Sequence, residues 1–253
     1  MANEGPSNKI TIKDRYNIIR NLKAGNIIIV FVAIQVVAII AGIIFPESFR
    51  YLSLQNLRVM FRAIPTLGII AIGVNLLMIA GEFDLSVGST FALSALMMAK
   101  AHNAGAPVIV GILIALAIGI FIGFVNGFVT VKSNVPSFII TLGAMWFWRG
   151  IILLISQAAN ESFHPGEFLT AVLTASIGPF QVQFIWFIIV GIGAWFLLER
   201  HKLGNHFFAV GGNKKAAIAL GINAHRVKVI AFMILGGLSS LAGIISTSRV
   251  NAV

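Results

Sequence analysis

The chain has 253 residues, of which 58% are hydrophobic and only 10% are charged, and its mean hydropathy is +0.96. Soluble domains carry about 25% charged residues, so this composition excludes an ordinary water-soluble protein. The net charge of +10 does not indicate nucleic-acid binding, because the basic residues stand at the ends of apolar segments. The chain has no cysteine, which excludes disulfides and thiol nucleophiles.

The basic N-terminal segment, residues 1–25, precedes the first apolar segment, 26–45. That segment is about 20 residues long, whereas the core of a cleaved signal has about 7–15, so we predict an uncleaved first span. With the N-terminus in the cytoplasm, twelve Lys and Arg residues would lie inside and four outside. The positive-inside rule therefore predicts a cytoplasmic N-terminus.

Seven apolar segments follow one another along the chain. Blocks of this length favour membrane-crossing helices over the shorter alternating strands of a membrane barrel. We predict an all-α polytopic membrane protein, with one transmembrane domain over residues 1–253 and about seven spans, at 26–45, 66–80, 85–99, 106–131, 137–155, 182–198 and 229–245.

Two stretches on the predicted outer side do not read as spans. In residues 46–65, Leu54, Leu57 and Phe61 recur three to four apart, with arginines on the opposite face. This pattern predicts an amphipathic helix lying on the outer membrane surface. Residues 156–178 are polar and contain Gly and Pro, which predicts an external loop.

The connection between the second and third apolar segments carries two carboxylates, Glu82 and Asp84, followed by Ser86. Asp84 or Ser86 can cap the N-terminus of the third segment. One interpretation is a short cytoplasmic turn with solvated carboxylates. The other is an interrupted intramembrane element beside a transport path, because short, Gly-broken segments can mark such sites.

The fourth segment repeats a small residue every fourth position. Ala115 is followed by Gly119, Gly123 and Gly127, a face that allows close approach of another helix. Asn126 could hydrogen-bond across this contact or line a pore. Arg149, near the outer end of the fifth segment, can snorkel to the surface. The candidate pathway residues are Asn75, Glu82, Asp84, Ser86, Asn126 and Arg149.

The polar loop 200–226 contains signals for its own helix. Asn213 can cap a short helix, Lys214 to Leu220, and Gly221 can end it in a left-handed turn. This loop is either an ordered connector that binds anionic lipid or a docking element for a cytoplasmic partner.

Sequence motifs for catalysis are missing. The chain has no GxxxxGK[ST] motif and no HExxH pair, so we predict no enzymatic activity, no cofactor and no metal site.

Three stretches together resemble the permease subunits of bacterial ABC importers for ribose, xylose, galactose and related monosaccharides. They are "GIIAIGVNLLMIAGEFDLSVGS" (68–89), "GFVNGFVTVKSNVPSFIITLGAMWFWRG" (123–150) and "GNHFFAVGGNKKAAIALGINAHRVK" (204–228). The similarity runs from about Asn56 to Asn251, with the motifs in family order. Glu82, Asp84 and Ser86 match the acidic "DLSVG" signature of the family.

The resemblance implies a bacterial inner-membrane permease that pairs with a second copy of itself. Its other partners would be a periplasmic sugar-binding protein and a cytoplasmic ATPase, which binds the ATP. The stretch Gly212 to Asn223 would hold the coupling helix, with Gly212, Asn213, Lys214, Lys215, Ala216, Ala217, Gly221, Ile222 and Asn223 contacting the ATPase. Family members continue with further spans, so the C-terminal part of the domain is expected to be missing.

The resulting prediction is the membrane subunit of an ATP-driven monosaccharide importer. Two alternatives stay open from the residues alone. The first is an ion-coupled secondary carrier or channel that uses Glu82, Asp84 and Arg149, and the second is a membrane scaffold that transports nothing.

Overall fold

A computed structural model describes residues 25–133, 135–164, 166–177, 180–250 and 253. Almost all of the predicted basic N-terminal segment lies outside these residues. The chain divides into two compact units, Met1–Met60 and Phe61–Val253. The described part holds ten helices and one short antiparallel hairpin, in which Ser176 pairs with Gln181.

Helices account for most of the described chain, and the predicted all-α polytopic class is confirmed. Six of them, α1, α2, α4, α5, α7 and α10, are long and apolar enough to cross a membrane. The third predicted span, α3, has 17 residues and is shorter than these. In chain order the elements are α1 (Gly25–Ile44), α2 (Leu54–Ile79), α3 (Val87–Asn103), α4 (Val108–Ser133), α5 (Ser137–Ser156), α6 (Gly166–Leu173), β1 (Ser176–Ile177), β2 (Phe180–Gln181), α7 (Gln183–Arg200), α8 (Lys202–Gly212), α9 (Lys214–Ala219) and α10 (Ala224–Val250).

Of the amphipathic helix predicted over 46–65, only the part from Leu54 onward is helical, and it is continuous with the second predicted span. Turns lie at residues 46–48 and 51–52, and α2 then runs without interruption from Leu54 through Pro65 to Ile79. Proline has no N–H to donate to the carbonyl of Phe61 and usually ends or kinks a helix. Helices of membrane proteins tolerate an internal proline when neighbouring groups compensate, and Pro65 is buried here.

The polar stretches 156–178 and 200–226 are more structured than the sequence indicates. The first contains α6, whose Leu173 is buried beside Phe163 in a hydrophobic cluster. The second contains α8 ahead of the predicted short helix. Apolar anchors that fall at helical spacing within polar segments explain both helices.

In the first unit, α1 carries its apolar side chains on the outside, which suits a helix surrounded by lipid. The chain then turns back through residues 45–53. The Tyr51 hydroxyl donates a hydrogen bond to Gln35 Oε1, and Asn56 Nδ2 donates to the Tyr51 carbonyl at 2.7 Å. These contacts hold the start of α2 to the preceding turn.

Close helix packing organises the second unit, where α10 lies against both α4 and α3. A Cβ atom added at Gly119 would lie 2.5 Å from the carbonyl oxygen of Gly236, and one at Gly123 would collide with the Phe232 carbonyl. The small-residue face of α4 therefore meets α10 with the backbones nearly touching. Across the same contact, Ser240 Oγ donates to the Ala115 carbonyl at 2.7 Å. Lipid supplies little hydrophobic drive between helices, so this packing and hydrogen bonding hold them together.

Replacing Gly123 by Ala tests this contact. Alanine favours a helix over glycine by about 1 kcal/mol, yet the new Cβ strikes backbone that has no rotamer to move. We expect Gly123→Ala to destabilise the protein by about 1–3 kcal/mol, seen as a lower thermal midpoint in detergent. Gly143→Ala, on α5 where a Cβ would meet no atom within 4 Å, is the matched control and should not lower the midpoint. Equal midpoints for the two variants would contradict the packing account.

Candidate functional site

The connection between α2 and α3, residues 80–86, begins with a Schellman turn. Gly81 has a φ of +81°, its N–H donates to the Met78 carbonyl at 3.0 Å, and the Glu82 N–H donates to the Leu77 carbonyl at 3.2 Å. A left-handed residue at this position favours glycine. Two carbonyls at the end of α2 are thereby satisfied as the helix stops.

Side chains of α5 bind the next part of the connection. The Phe83 N–H donates to Ser137 Oγ and the Leu85 N–H donates to Thr141 Oγ1, both at 3.1 Å. Ser137 and Thr141 are four residues apart and thus lie on one face of α5. Sequence reasoning missed both residues. The available signal was this pair of hydroxyls at i and i+4 in the first turns of an apolar helix.

Asp84, Ser86 and Asn126 form a buried polar cluster, which we call the hub. Asp84 is only 7% exposed, and its Oδ1 accepts from the Ser86 N–H at 2.6 Å and from the Ser86 hydroxyl at 2.7 Å. Asn126 Nδ2 donates to Ser86 Oγ at 2.7 Å and to Asp84 Oδ2 at 3.3 Å. Ser86 precedes α3 but its side chain makes no capping bond, and Asp84 accepts from the Ser86 N–H instead.

Glu82 points to a different partner, Lys228 in the second turn of α10, with which it forms a largely buried ion pair. On the same side, α8 ends against the connection, since a Cβ added at Gly81 would lie 3.2 Å from Gly211 Cα. Neither Glu82 nor Asp84 is freely solvated, so the interpretation as a solvated turn is wrong. The connection is an ordered break between two helices.

The other two candidate pathway residues do not join this site. Asn75 lies on an exposed position of α2 and Arg149 on an exposed position of α5. Neither side chain hydrogen-bonds to any residue in the described part of the chain.

The predicted capped helix in the 200–226 loop is confirmed as α9. Asn213 Oδ1 accepts from the Ala216 N–H at 3.0 Å, and Gly221, with a φ of +81°, ends the helix. The Ile222 N–H donates to the Ala217 carbonyl at 3.0 Å, which completes a second Schellman turn. The helix ends at Ala219, one residue earlier than predicted. Asn223 caps the following helix by accepting from the Arg226 N–H at 3.0 Å.

Ala217 is the one buried residue of α9, and it packs the helix against the membrane helices. Ala217 is buried in a cluster with Leu77 and Ala80 at the end of α2 and with Phe207 of α8. The rest of α9 faces outward, including Lys214, Lys215 and Ala216. Two apolar side chains also face outward, Ile218 at 52% and Leu220 at 79% exposure.

A family model described as "Branched-chain amino acid transport system / permease component" matches residues 56–253. The chain belongs to this permease family. The match covers every residue of the hub and all of α8, α9 and α10.

The chain is also similar to three curated import permeases. The chain is 31% identical over 223 residues to an autoinducer 2 import system permease of Salmonella choleraesuis, a match that covers 87% of this chain and 64% of that protein. It is 36% identical over 219 residues to a xylose/arabinose import permease of Sulfolobus acidocaldarius, covering 84% and 60%. It is 33% identical over 227 residues to a ribose import permease of Haemophilus influenzae, covering 88% and 69%.

These relatives confirm the resemblance to importers of the ribose and xylose type. The chain spans about 60–69% of their lengths. No solved structure matches it.

Removing the Asp84 carboxylate tests the hub. Asp84→Ala leaves the Ser86 N–H and the Ser86 hydroxyl buried without an acceptor and removes one of the two acceptors of the Asn126 amide, which should cost about 3 kcal/mol of the free energy of unfolding. We expect a lower thermal midpoint in detergent and a lower yield of folded permease. Glu199→Ala, an exposed acid at the end of α7, should melt like the wild type. A wild-type midpoint for Asp84→Ala would show that the hub is not a stabilising element.

Exchanging the charges of Glu82 and Lys228 tests the ion pair. Lys228→Met leaves a largely buried carboxylate unpaired and should cost about 3 kcal/mol. The double variant Glu82→Lys with Lys228→Glu restores opposite charges and should recover most of the loss in thermal midpoint. Arg226→Met, an exposed neighbour on α10, is the control. If the exchanged pair is no more stable than its single variants, the two side chains are not energetically coupled.

Proposed function

We propose that this permease is the membrane-spanning subunit of an ATP-driven importer, which moves a monosaccharide across the bacterial cytoplasmic membrane. A separate ATPase drives it through the stretch Gly212–Asn223, and the N-terminus lies in the cytoplasm. The observation that carries the proposal is α9, a helix capped at both ends and attached through Ala217 to the end of α2.

Exposed apolar side chains on α9 and at its C-cap support a docking role. Ile218 and Leu220 are 52% and 79% exposed, and they stand two residues apart in the polar loop 200–226 rather than in an apolar span. A connector that bound only lipid headgroups would need its lysines and not this apolar pair. A cleft on an ATPase subunit could bury Ile218 and Leu220 together and move the helix as one body.

The substrate proposal rests on the relatives. Two of the three named above are import permeases for ribose and for xylose or arabinose. A neutral monosaccharide needs hydrogen-bonding groups and few buried charges along its path, and Glu82 and Asp84 are both already engaged. The family description mentions amino acids. An amino acid carries an ammonium and a carboxylate group, and both would need charged side chains along the path that are not already paired within the protein.

The proposed assembly contains two copies of the permease, two ATPase subunits and a periplasmic sugar-binding protein. ATP binds the ATPase, so the permease itself needs no cofactor. Among the described residues, no group of three or more His, Asp or Glu side chains could hold a metal ion.

An ion-coupled carrier fits the contacts less well. Such a carrier would use Glu82, Asp84 and Arg149 along one path. Glu82 pairs with Lys228, Asp84 belongs to the hub, and Arg149 lies apart on an exposed position of α5.

Co-purification with the ATPase tests the proposal. We expect Ile218→Asp with Leu220→Asp to reduce ATPase capture from co-expressing cells by about tenfold, because charges replace an apolar contact. Lys202→Asp, exposed on α8, is the control outside α9. Ala217 is unsuitable as a docking variant, because its side chain packs inward and a larger residue would detach α9.

The same cells report on transport. The proposal predicts that the α9 double variant loses ATP-dependent uptake of labelled ribose or xylose. Normal ATPase capture by the double variant would contradict the docking assignment. Uptake that collapses with the ion gradient and ignores ATP would replace the proposal with the carrier.

A further inference from the structure

An open pocket of about 270 Å³ lies at the corner between α4 and α5, beside the Glu82–Lys228 ion pair. Three elements meet there besides the corner itself: the connection after α2, the start of α9 and the start of α10. The polar groups around the pocket are Glu82, Thr130, Ser137, Lys214 and Lys228.

The charges around this pocket favour an anion. Glu82 is neutralised by Lys228, whereas Lys214 forms no ion pair with any described residue. The pocket therefore carries one positive charge in excess. Lys228 keeps further N–H donors after pairing with Glu82, because an ammonium group has three.

Two hydroxyl groups beside the pocket can donate a hydrogen bond and have no acceptor among the described residues. Thr130 is 5% exposed, and its Oγ1 has no hydrogen-bond partner within the described ranges. A buried hydroxyl without a partner is unfavourable and calls for an explanation. Ser137 Oγ accepts from the Phe83 N–H, which leaves its own proton free to donate. An anion in the pocket would accept from Ser137, and from Thr130 once rotation of its side chain turns the buried hydroxyl toward the pocket.

The position of Lys214 indicates where the anion comes from. Lys214 and Ile218 are four residues apart and share one face of α9, so a partner that covers Ile218 also passes over Lys214. A cavity of this size accepts a single side chain. The carboxylate of a protein side chain fits both conditions.

We propose that this pocket receives an acidic side chain of the ATPase subunit, with Lys214 and Lys228 binding its carboxylate and the two hydroxyls donating to it. The inference rests on the proposed function and adds to it a specific partner chemistry. It also links the partner to Lys228, and through Glu82 to the connection between α2 and α3. An acidic residue that enters the pocket competes with Glu82 for Lys228.

Two neighbouring lysines provide the decisive comparison. Lys214 lines the pocket, whereas Lys215 is also exposed on α9 but is not among the residues that line it. With the permease in lipid nanodiscs and the purified ATPase subunit of its own transport system, we expect Lys214→Glu to weaken binding about tenfold. Lys215→Glu makes the same change in net charge and should weaken binding much less. Equal losses for the two variants would overturn the pocket and leave only general charge attraction.

Thr130→Val separates binding from stability. Valine keeps the shape and removes the unpaired hydroxyl, so the permease alone should melt at an equal or higher temperature. Binding of the ATPase should nevertheless weaken about threefold, because a donor to the carboxylate is lost. Unchanged binding would overturn the role of this hydroxyl. If the wild-type permease binds no ATPase, the proposed function itself fails, an outcome distinct from equal effects at Lys214 and Lys215.

Discussion

The break between α2 and α3 depends on one constraint, that unwound backbone must find hydrogen-bond partners where water is scarce. Here the chain supplies them from its own distant side chains. Ser137 and Thr141 of α5 accept from the backbone, and Asp84 accepts from the Ser86 N–H and is itself held by Asn126 of α4. The two helices can stop and restart inside the bundle because α4 and α5 stand close enough to make these contacts.

Close packing of α4 on α10 makes that arrangement possible. The glycine face of α4 brings α10 near, and α10 in turn carries Lys228 to Glu82. The end of α2 also shares a hydrophobic cluster with Ala217 of α9. The break, the α10 lysine and the exposed helix α9 are thus parts of one packed region. A partner that displaced α9 would therefore first move the end of α2. The proposed coupling of the ATPase to the membrane helices requires such a contact.

The sequence was sufficient to predict structural features that depend only on residues close together in the chain. The Asn213 cap and the left-handed Gly221 lie within eight residues of each other, and both are found as predicted. The repeat Gly119, Gly123 and Gly127 identified the close face of α4 without identifying α10 as its neighbour. The family itself was recognised from three motifs, and the family match bears this out.

Contacts between distant parts of the chain could not be predicted from the sequence. Glu82 and Lys228 are 146 positions apart, and one sequence contains no sign that they meet. Ser137 and Thr141 look like ordinary hydroxyls of an apolar helix until the connection is seen beside them. The continuity of α2 through Pro65 was missed because the spacing of Leu54, Leu57 and Phe61, with arginines on the opposite face, indicated a surface helix distinct from the next apolar segment.

Amide hydrogen exchange at the α2–α3 connection tests the central claim most directly. Exchange reports whether a backbone N–H is held in a hydrogen bond and how often that bond opens. We predict that the amides of Phe83, Leu85 and Ser86 exchange as slowly as those of the flanking helices, and far more slowly than those of Glu47 and Arg50 in the exposed turn at 46–52. Exchange at the connection as fast as at that turn would show a solvated loop and would contradict the ordered break.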